Sequence, residues 1–384
     1  MIKLTRISTA YPKAAKNINK KISKKKNLNY NELLKEVFLL GFGENNNITK
    51  ELSKKNYECN EIISNIKYLQ KTWSREYLQK KSNKNIILEQ ILFYKPNVIY
   101  FGNYSFLTKD LLKEIRKLNH VKLVMVFHCS PITSEIEKKL KLADLVITCT
   151  YGYKEEIEKK IKKKTYLIHH AFNASSKKYF KNKKRSIDVT FVGSLYMKSG
   201  LHINRVNLIY FLLKNFNNTY IGVDFPIKNF YFVFIFLFSF NSDYKLYEKL
   251  KLIYKIFYIL INCRKAVYGN DMLKLLNKSK LLINSHIEDT KYAGNMRLFE
   301  GTGMGCLVLT DNKIGLDKLF IINRQIVVYK NLVDLMSKIT FYLKNKKKLL
   351  LIAKNGYKKT FSKHNYKNRF KILDKIIREN IKNS

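Results

Sequence analysis

Short runs of β-branched and aliphatic residues alternate with longer segments of helical period through the first half of the chain. Ile2–Thr9 and Asn97–Gly102 have the composition of buried strands. The Lys/Glu/Leu segments between such runs, for example LLKEIRKL and EEIEKKIKKK, repeat their apolar positions every three or four residues and are therefore predicted to be helices. This alternation favours a parallel, doubly wound sheet. Three further runs are predicted as strands: Val121–Phe127, Ala143–Cys149 and Thr165–His170.

The alternation stops at a polar, basic stretch, Asn173–Arg185, and then begins again. We therefore predict two Rossmann-like domains, residues 1–172 and residues 173–384, with the boundary near Ala171–Lys184. From about Asn331 the chain has helical periodicity, and these terminal helices are assigned to the second domain. The strands predicted for the second domain are Ile187–Leu195, Thr219–Phe225, Lys280–His286, Cys306–Asp311 and Gln325–Tyr329.

The composition agrees with two folded domains and adds a large positive charge. Apolar residues make up 46% of the 384 residues, enough for burial to offset the entropy of ordering the chain. The formal net charge is +45, from 74 Lys and Arg against 29 Asp and Glu. Much of the excess is lysine, with abundant Asn and Ile, which an AT-rich coding bias would produce whatever the function. Because no nucleic-acid-binding motif is present, an anionic membrane surface or an anionic substrate is a better partner for this charge than nucleic acid.

Cysteine usage and the N-terminal residues indicate a cytoplasmic protein. The five cysteines are scattered and contain no C-x-x-C, so neither a disulfide framework nor a zinc site is expected. The first residues, MIKLTRISTAYPK, lack the apolar core and cleavage site of a signal peptide. A position at the inner face of the membrane is the alternative that the charge leaves open.

One segment, Phe230–Phe240, is almost wholly apolar. A membrane-spanning helix needs roughly 20 such residues, so this run is too short to span. We expect a buried strand or helix. The alternative is a segment that lies at the membrane interface, since the nearby run LKLIYKIFYILINCRK is both apolar and basic.

The segment Lys280–Asp311 contains the candidate chemistry and has the pattern strand, loop, helix, strand. In a doubly wound sheet, ligands bind beyond the carboxyl ends of the strands, so the helix beginning near Asn295 faces that edge. A helix N-terminus offers N–H groups and partial positive charge to a diphosphate. Arg297 and Glu300 share a helix face, which lets Arg297 reach a phosphate while Glu300 accepts hydrogen bonds from ribose hydroxyls. The alternative is an ordinary solvated Arg/Glu pair.

Three glycines, Gly301, Gly303 and Gly305, superficially suggest a dinucleotide fingerprint. That fingerprint follows a strand and opens a helix, whereas these glycines end a helix and precede a strand. We therefore expect them to allow close helix–sheet packing and to cap the helix.

The segment RLFEGTGMGCLVLTD resembles the signature of CgeB-like glycosyltransferases, members of the GT-B superfamily that use nucleotide-sugar donors. The segments IDVTFVGSLY, YGNDMLKLLNKSKLLINSH and NGYKKTFSKHNYKNRF resemble the same family in the expected order. RISTAYPK, NYNELLKEVFLLGFGENN and QILFYKPNVIYFG look like N-terminal segments of its polysaccharide-associated branch. The resemblance implies a GT-B fold, in which two Rossmann-like doubly wound domains face a cleft.

The resemblance also implies roles for residues of the second domain. Glu300 matches the second glutamate of the E-x7-E motif of related retaining enzymes, where it holds the ribose. Tyr292 stands at the first position of that motif, so the usual contact to the donor sugar is replaced here, with Glu288 or Asp289 of the same loop as substitutes.

Further donor contacts are implied at two strand ends. Gly193 and Ser194 resemble the turn that approaches the donor phosphates, and Arg205 is a second candidate phosphate ligand, with a structural role as the alternative. His128 follows a predicted strand of the first domain, where related enzymes place a histidine that faces the donor sugar. The assigned catalytic residues are thus His128, Arg297 and Glu288, and the donor-binding residues also include Asn295.

Together these features predict a hexosyltransferase that moves a sugar from a nucleotide-sugar donor to a glycan or polysaccharide acceptor. Positive groups that stabilise the departing diphosphate matter more for this reaction than a protein nucleophile. Because no D-x-D motif stands in a plausible site, we predict catalysis without a metal or other cofactor. The alternatives are a sugar-nucleotide epimerase of the same fold and a noncatalytic basic protein that binds membranes or nucleic acid.

Overall fold

The computed structural model describes residues 1–41, 45–78, 85–179, 184–195, 202–225, 228–238, 245–286 and 290–381. The chain divides into two units: residues 1–173 together with 364–384, and residues 174–363. Each unit is built on one six-stranded parallel sheet with helices packed against it, as the alternating pattern predicts.

The sheet of the first unit has the strand order β2-β1-β3-β4-β5-β6. Neighbouring residues of a strand face opposite sides of the sheet, so that Val98 and Tyr100 contribute to one core cluster and Ile99 and Phe101 to the other. The strands are β1 (Ile2–Ser8), β2 (Tyr57–Ile63), β3 (Val98–Phe101), β4 (Leu123–His128), β5 (Leu145–Thr148) and β6 (Thr165–Leu167). The helices are α1 (Pro12–Ile22), α2 (Tyr30–Leu39), α3 (Asn47–Leu52), α4 (Lys67–Tyr77), α5 (Ile86–Tyr94), α6 (Lys109–Arg116), α7 (Ser134–Leu140), α8 (Tyr151–Ile161) and, from the C-terminal end of the chain, α17 (Tyr366–Ile381).

The sheet of the second unit has the order β9-β8-β7-β10-β11-β12, the doubly wound order in which the chain reverses direction of growth between β7 and β10. Its strands are β7 (Ile187–Ser194), β8 (Thr219–Asp224), β9 (Arg264–Lys265), β10 (Ser279–Asn284), β11 (Leu307–Asp311) and β12 (Val327–Tyr329). Its helices are α9 (Ile203–Asn215), α10 (Lys228–Phe238), α11 (Leu246–Asn262), α12 (Gly269–Asn277), α13 (Met296–Gly303), α14 (Leu316–Leu319), α15 (Leu332–Lys344) and α16 (Lys346–Lys363), preceded by a 3-10 helix, Ala174–Tyr179.

The last helix, α17, belongs to the first unit, whereas the sequence pattern assigns it to the second domain. Phe370, Leu373 and Ile377 are buried in the same cluster as Leu4 and Val98 of the first sheet. The apolar face of an amphipathic helix must be buried, but the sequence period does not specify which sheet covers it.

Strand β2 is absent from the sequence prediction because polar residues interrupt its apolar pattern. Its Glu61 is buried and lies opposite Arg6 of β1, with Arg6 Nη1 3.1 Å from Glu61 Oε2. The partner strand thus supplies the charge that makes this buried carboxylate tolerable.

Candidate functional site

The candidate site of the second unit lies at the carboxyl ends of β7 and β10, where the strand order reverses. In open parallel sheets the crevice at such a switch point is the usual ligand site, because the chain leaves the two strands toward opposite faces. The described residues that follow these strands include Leu195 after β7, and Ser285 and His286 after β10.

Arg205 of α9 joins these two strand ends. Its side chain is buried, and its guanidinium donates to the carbonyl of Ser194 (2.9 Å) and to the carbonyl of Ser285 (2.9 Å). The neighbouring His202 is neutral, because burial and then the charge of Arg205 lower its pKa to about 3. These contacts support the structural alternative for Arg205, in which it fixes the backbone around the site.

Gly193 of β7 lies beside the ring of its neighbour Phe191. An added Cβ at Gly193 would stand 3.0 Å from Phe191 Cζ, so this strand end has little room for a side chain. Ser194 follows, and its carbonyl accepts from Arg205. The pair predicted to approach the donor phosphates therefore ends β7 with the Phe191 ring against Gly193 and the Ser194 carbonyl held by Arg205.

Gly301 brings α13 close to the sheet. A Cβ at this position would lie 2.3 Å from Leu282 Cδ2 and 2.8 Å from Val308 Cγ2, which are too close for any side chain. Gly305 follows the helix with φ of 72°, a conformation that favours glycine. The predicted roles in packing and helix termination are confirmed for these two glycines.

Arg297 and Glu300 form an ion pair one turn apart on α13. Arg297 also donates from Nε to the carbonyl of Val192 in β7, 3.0 Å away, which places its guanidinium beside the neighbouring strand. Burial raises the pKa of Glu300, and the positive charge of Arg297 opposes this rise without cancelling it. The pair is therefore partly desolvated, unlike the solvated Arg/Glu pair of the alternative interpretation.

Asn295 is the N-cap of α13, and its side chain turns toward β10. Its amide Nδ2 donates to Asn284 Oδ1 at 2.9 Å, and Asn284 in turn donates to Thr310 Oγ1 at 2.9 Å. The Oδ1 atom of Asn295 is buried and has no hydrogen-bond partner within the described part of the chain. A buried acceptor of this kind is costly unless a donor reaches it, and here it lies at the N-cap of α13.

His286 and Asp311, which the sequence interpretation left out of the donor site, form a dyad at the ends of β10 and β11. His286 Nδ1 lies 2.7 Å from Asp311 Oδ1, and the backbone N–H of His286 donates to the same carboxylate at 3.1 Å. The Nε2 atom accepts from Gly294 N at 3.4 Å, so Nδ1 bears the proton. Burial alone would raise the pKa of Asp311, but the side-chain and backbone hydrogen bonds from His286, together with the positive charge nearby, outweigh it and lower the pKa. The sequence did place both residues at the ends of predicted strands, and this position is the signal that could have identified them as site residues.

The loop that precedes α13 is fixed at Tyr292. Ala293 N donates to Ile314 O at 2.9 Å, and Ile314 N donates to Lys291 O at 3.0 Å, so Tyr292 is held against the chain after β11. Glu288 and Asp289, the predicted substitutes for the missing motif glutamate, lie outside the described residues.

His128 ends β4 of the first unit and is buried. Its Nε2 atom donates to the carbonyl of Ser130 at 2.7 Å, and its Nδ1 atom accepts from the hydroxyl of Tyr104. Burial lowers the pKa of His128 to about 4, so the ring is neutral at pH 7. Its catalytic role stays a prediction.

Cys129 and Cys149 are joined by a disulfide, which corrects the expectation that the chain contains none. The two residues are twenty apart in sequence but follow adjacent strands, β4 and β5, which pair in parallel with His128 opposite Thr148. Sequence spacing alone does not reveal a proximity that sheet register creates.

The apolar segment near residue 230 forms α10, but its described side chains are largely exposed, so the expected buried location is wrong for them. Phe230, Tyr231, Phe234 and Phe238 are each about half or more exposed. The neighbouring α11 adds a second exposed row: Leu246, Tyr247, Leu250, Tyr254, Phe257 and Ile261. None of the helices among the described residues is long and apolar enough to cross a membrane.

A cavity of about 720 Å³ in the first unit is separate from these sites. It lies beside β2 and is lined by residues such as Asn31, Phe38 and Tyr94. Glu61, its buried carboxylate, is already paired with Arg6.

Residues 247–375, about a third of the chain, match the family model described as glycosyl transferase-like. This segment contains α13 and the strand ends that surround it. Among curated proteins, none matches the sequence of this chain.

Several solved structures share the two-unit architecture over the whole chain. HepE from Anabaena in complex with UDP and glucose has a TM-score of 0.63 at 12% identity, covering 99% of this chain and 100% of that chain. Sucrose-phosphate synthase from Thermosynechococcus elongatus has a TM-score of 0.59 at 11% identity, covering 100% of both chains. A putative UDP-N-acetylglucosamine 2-epimerase from Listeria monocytogenes has a TM-score of 0.52 at 13% identity, covering 98% of this chain and 96% of that chain. The two α/β units match the GT-B glycosyltransferase fold, and at these identities the similarity concerns the fold.

Proposed function

We propose that this chain is a glycosyltransferase of the CgeB-like group, which moves a hexose from a nucleotide-sugar donor to a glycan or polysaccharide acceptor. The donor diphosphate binds at the N-terminal turn of α13. The observation that carries the proposal is the partly buried Arg297–Glu300 pair of α13, with the Arg297 guanidinium anchored on the carbonyl of Val192 in β7. The turn lies within the segment that matches the glycosyl transferase-like model.

The reaction leaves negative charge on the departing nucleoside diphosphate as the sugar develops oxocarbenium character. The guanidinium of Arg297, held by the carbonyl of Val192, and the first N–H groups of α13 supply fixed positive charge where that diphosphate forms. Fixed groups of this kind need little reorganisation during the reaction, so their stabilisation acts on the transition state.

Glu300 accepts hydrogen bonds from the ribose hydroxyls in this proposal. In the structure, the carboxylate of Glu300 is paired with the guanidinium of Arg297. When the donor binds, Glu300 accepts from the ribose and Arg297 turns part of its hydrogen bonding to the phosphate. Asn295 Oδ1 accepts from a further donor hydroxyl. Arg205 acts indirectly, as a positioning residue that holds the Ser194 and Ser285 carbonyls.

His128 and Glu288 are the proposed groups around the transferred sugar. Because His128 already engages Tyr104 and Ser130, an effect of His128→Gln on turnover but not on nucleotide binding would support a catalytic role. If His128→Gln lowers the stability of the protein and leaves turnover per folded molecule unchanged, His128 is a core residue without a catalytic role.

We further propose that donor chemistry here needs no divalent cation. The expected result is that Mg²⁺ or Mn²⁺ added to chelator-treated protein leaves the rate unchanged. A rate that appears only after Mg²⁺ addition would overturn this part of the proposal.

The donor site is tested first by thermal stabilisation with nucleoside diphosphates and their sugars, since a ligand of the native state raises its apparent stability. UDP is the first probe. Wild type should be stabilised by one nucleotide class, and Glu300→Gln should show a smaller thermal shift with that nucleotide. Asp271→Asn is the matched control, because this exposed carboxylate of the same unit forms a surface ion pair with the nearby Lys274.

The acceptor requirement separates the alternatives. Sugar release or isomerisation without an acceptor would favour the epimerase. Absence of stabilisation by any nucleotide, together with salt-sensitive binding to nucleic acid or vesicles, would favour the noncatalytic protein.

The exposed rows of α10 and α11 support peripheral contact with an anionic membrane at its cytoplasmic face. Leu250, Phe257 and Ile261 recur at helical spacing on the exposed side of α11, and the exposed Lys245 and Lys251 lie on the same helix or its N-cap. An amphipathic helix of this composition inserts its apolar face among lipid headgroups while its lysines contact anionic lipids.

Flotation with vesicles tests this contact. The protein should float with phosphatidylglycerol vesicles and less with phosphatidylcholine vesicles, and the double variant L250D/F257D should lose flotation. Val333→Asp, at an exposed apolar position of α15, is the control. Equal flotation of the double variant and wild type would rule out this surface.

A further inference from the structure

Three side chains with metal-binding atoms meet at the edge of the first sheet, outside the donor site. The sulfurs of Cys129 and Cys149 and a ring nitrogen of His170 all lie within 4.8 Å of one another. Each residue follows a different strand: Cys129 follows β4, Cys149 follows β5, and His170 follows β6. These three strands are neighbours in the sheet and run parallel, so their carboxyl ends are at one edge.

The arrangement results from the sheet register. His128 is paired with Thr148, so the next residues, Cys129 and Cys149, leave their strands side by side with a Cα–Cα distance of 5.7 Å. Side chains at matched positions of adjacent parallel strands point to the same face. The two sulfurs are therefore brought together by the fold itself.

The histidine is held by its own contacts. Arg369 of α17 donates to the carbonyl of His169 at 2.9 Å and to the carbonyl of His170 at 3.3 Å. The ring of His170 packs against Phe127 of β4, with 5.7 Å between the ring centres. His169 Nδ1 lies 2.7 Å from the carbonyl of Cys149, which connects the two segments directly.

We propose that Cys129, Cys149 and His170 bind one thiophilic divalent cation, such as Zn²⁺, when the two cysteines are reduced. Two thiolates and an imidazole are ligands that Zn²⁺ prefers, and three protein ligands leave a fourth position for water. Binding releases the two thiol protons to solvent, so the bound cation replaces two protons and affinity falls with decreasing pH. The disulfide form has no thiolate to offer and does not bind the metal.

The experiment uses the full chain reduced with a water-soluble phosphine, which converts the disulfide and one water into two thiols and phosphine oxide. After removal of the phosphine, Co²⁺ serves as the spectroscopic probe and Zn²⁺ as its competitor. We expect one equivalent of Co²⁺ with a sulfur-to-metal charge-transfer band, which Zn²⁺ abolishes. C129S, C149S and H170A should each lose or weaken the band, and C59S should keep it.

A second measurement needs no substitution. Zn²⁺ should protect Cys129 and Cys149 of the reduced wild type from alkylation, measured by mass spectrometry, while Cys59 is still alkylated. The proposal is overturned if reduced protein binds no Co²⁺, if the band survives in C129S or is unchanged in H170A, or if Zn²⁺ gives no selective protection.

Discussion

His286 and Asp311 lie on adjacent parallel strand ends, with 2.7 Å between Nδ1 and Oδ1, and the same carboxylate also receives the backbone N–H of His286. A single side chain of β11 thus holds both the ring and the backbone of His286, two residues beyond the end of β10. The loop that leads to α13 begins from this fixed point, and Gly294 at its far end donates to the same ring.

Removal of the Asp311 carboxylate should destabilise the second unit. Asp311→Ala leaves the two His286 donors without their acceptor, so the free energy of unfolding should fall by about 2–4 kcal/mol. Urea unfolding at pH 7 measures the change, with Asp271→Ala as a surface control expected within about 0.5 kcal/mol of wild type. Because the folded state lowers the pKa of Asp311, its contribution is present at neutral pH and is lost as the pH falls through that folded-state pKa. Equal stability of the two variants would contradict the role assigned to the dyad.

Arg297 should contribute to nucleotide affinity through its geometry as well as its charge. Its planar guanidinium bonds Val192 and Glu300 at once, which the single ammonium of lysine does not reproduce. Arg297→Lys should therefore weaken UDP binding by about 1.5–3 kcal/mol, roughly ten- to hundredfold in Kd. Titration calorimetry measures this, with the exposed Arg324→Lys as control. An unchanged Kd in Arg297→Lys would move the phosphate site elsewhere.

Nucleotide binding should also depend on the ionisation of Glu300. Burial raises the pKa of this carboxyl, so protonation begins at a higher pH than for an exposed glutamate. A protonated carboxyl accepts fewer hydrogen bonds from ribose, and affinity for UDP should decline as the pH falls through this raised pKa. Binding titrations across the acidic range test the idea, and Glu300→Gln should show a flat profile. A wild-type profile as flat as that of the variant would exclude Glu300 from the ribose contact.

Gly301→Ala should destabilise the protein by overpacking. The new methyl group would overlap Leu282 and Val308, and such insertions cost about 1–3 kcal/mol. Gly315→Ala is an informative comparison, because that position has open space but φ of 81°, so its cost of about 1–2 kcal/mol comes from the backbone alone. A double-mutant cycle distinguishes repacking from backbone strain: in the Leu282→Ala background, where the new methyl group has room, Gly301→Ala should cost less than in wild type, whereas the cost of Gly315→Ala should be the same in both backgrounds. An equal cost of Gly301→Ala in the two backgrounds would argue against this close approach.

Much of the fold follows from apolar runs, but the partners of each element do not. Strands β1, β7, β10 and β11 could be predicted from their apolar runs, because strands that are buried on both faces need continuous apolar residues. Strand β2 could not be predicted, because the charged Glu61 interrupts its apolar pattern and the residue that neutralises this charge, Arg6, lies on another strand.

The candidate site shows the same limit. The sequence could predict that Asn295, Arg297 and Glu300 lie together, because they stand at the start of one helix, where residue spacing fixes the relative positions of the side chains. The His286–Asp311 dyad and the Cys129–Cys149 pair join residues on different strands, and only sheet register brings those together. The position of α17 depends on which apolar surface its buried face meets, a choice that its own period does not encode.

The return of the chain to the first unit affects how the protein is made. Phe370, Leu373 and Ile377 complete a core whose other members, such as Leu4 and Val98, are translated long before them. A ribosome therefore synthesises the entire second unit while the first still exposes the apolar face that α17 will cover. During that interval this face is open to chaperones and to other nascent chains, and a premature stop before residue 366 would leave it uncovered for the lifetime of the product.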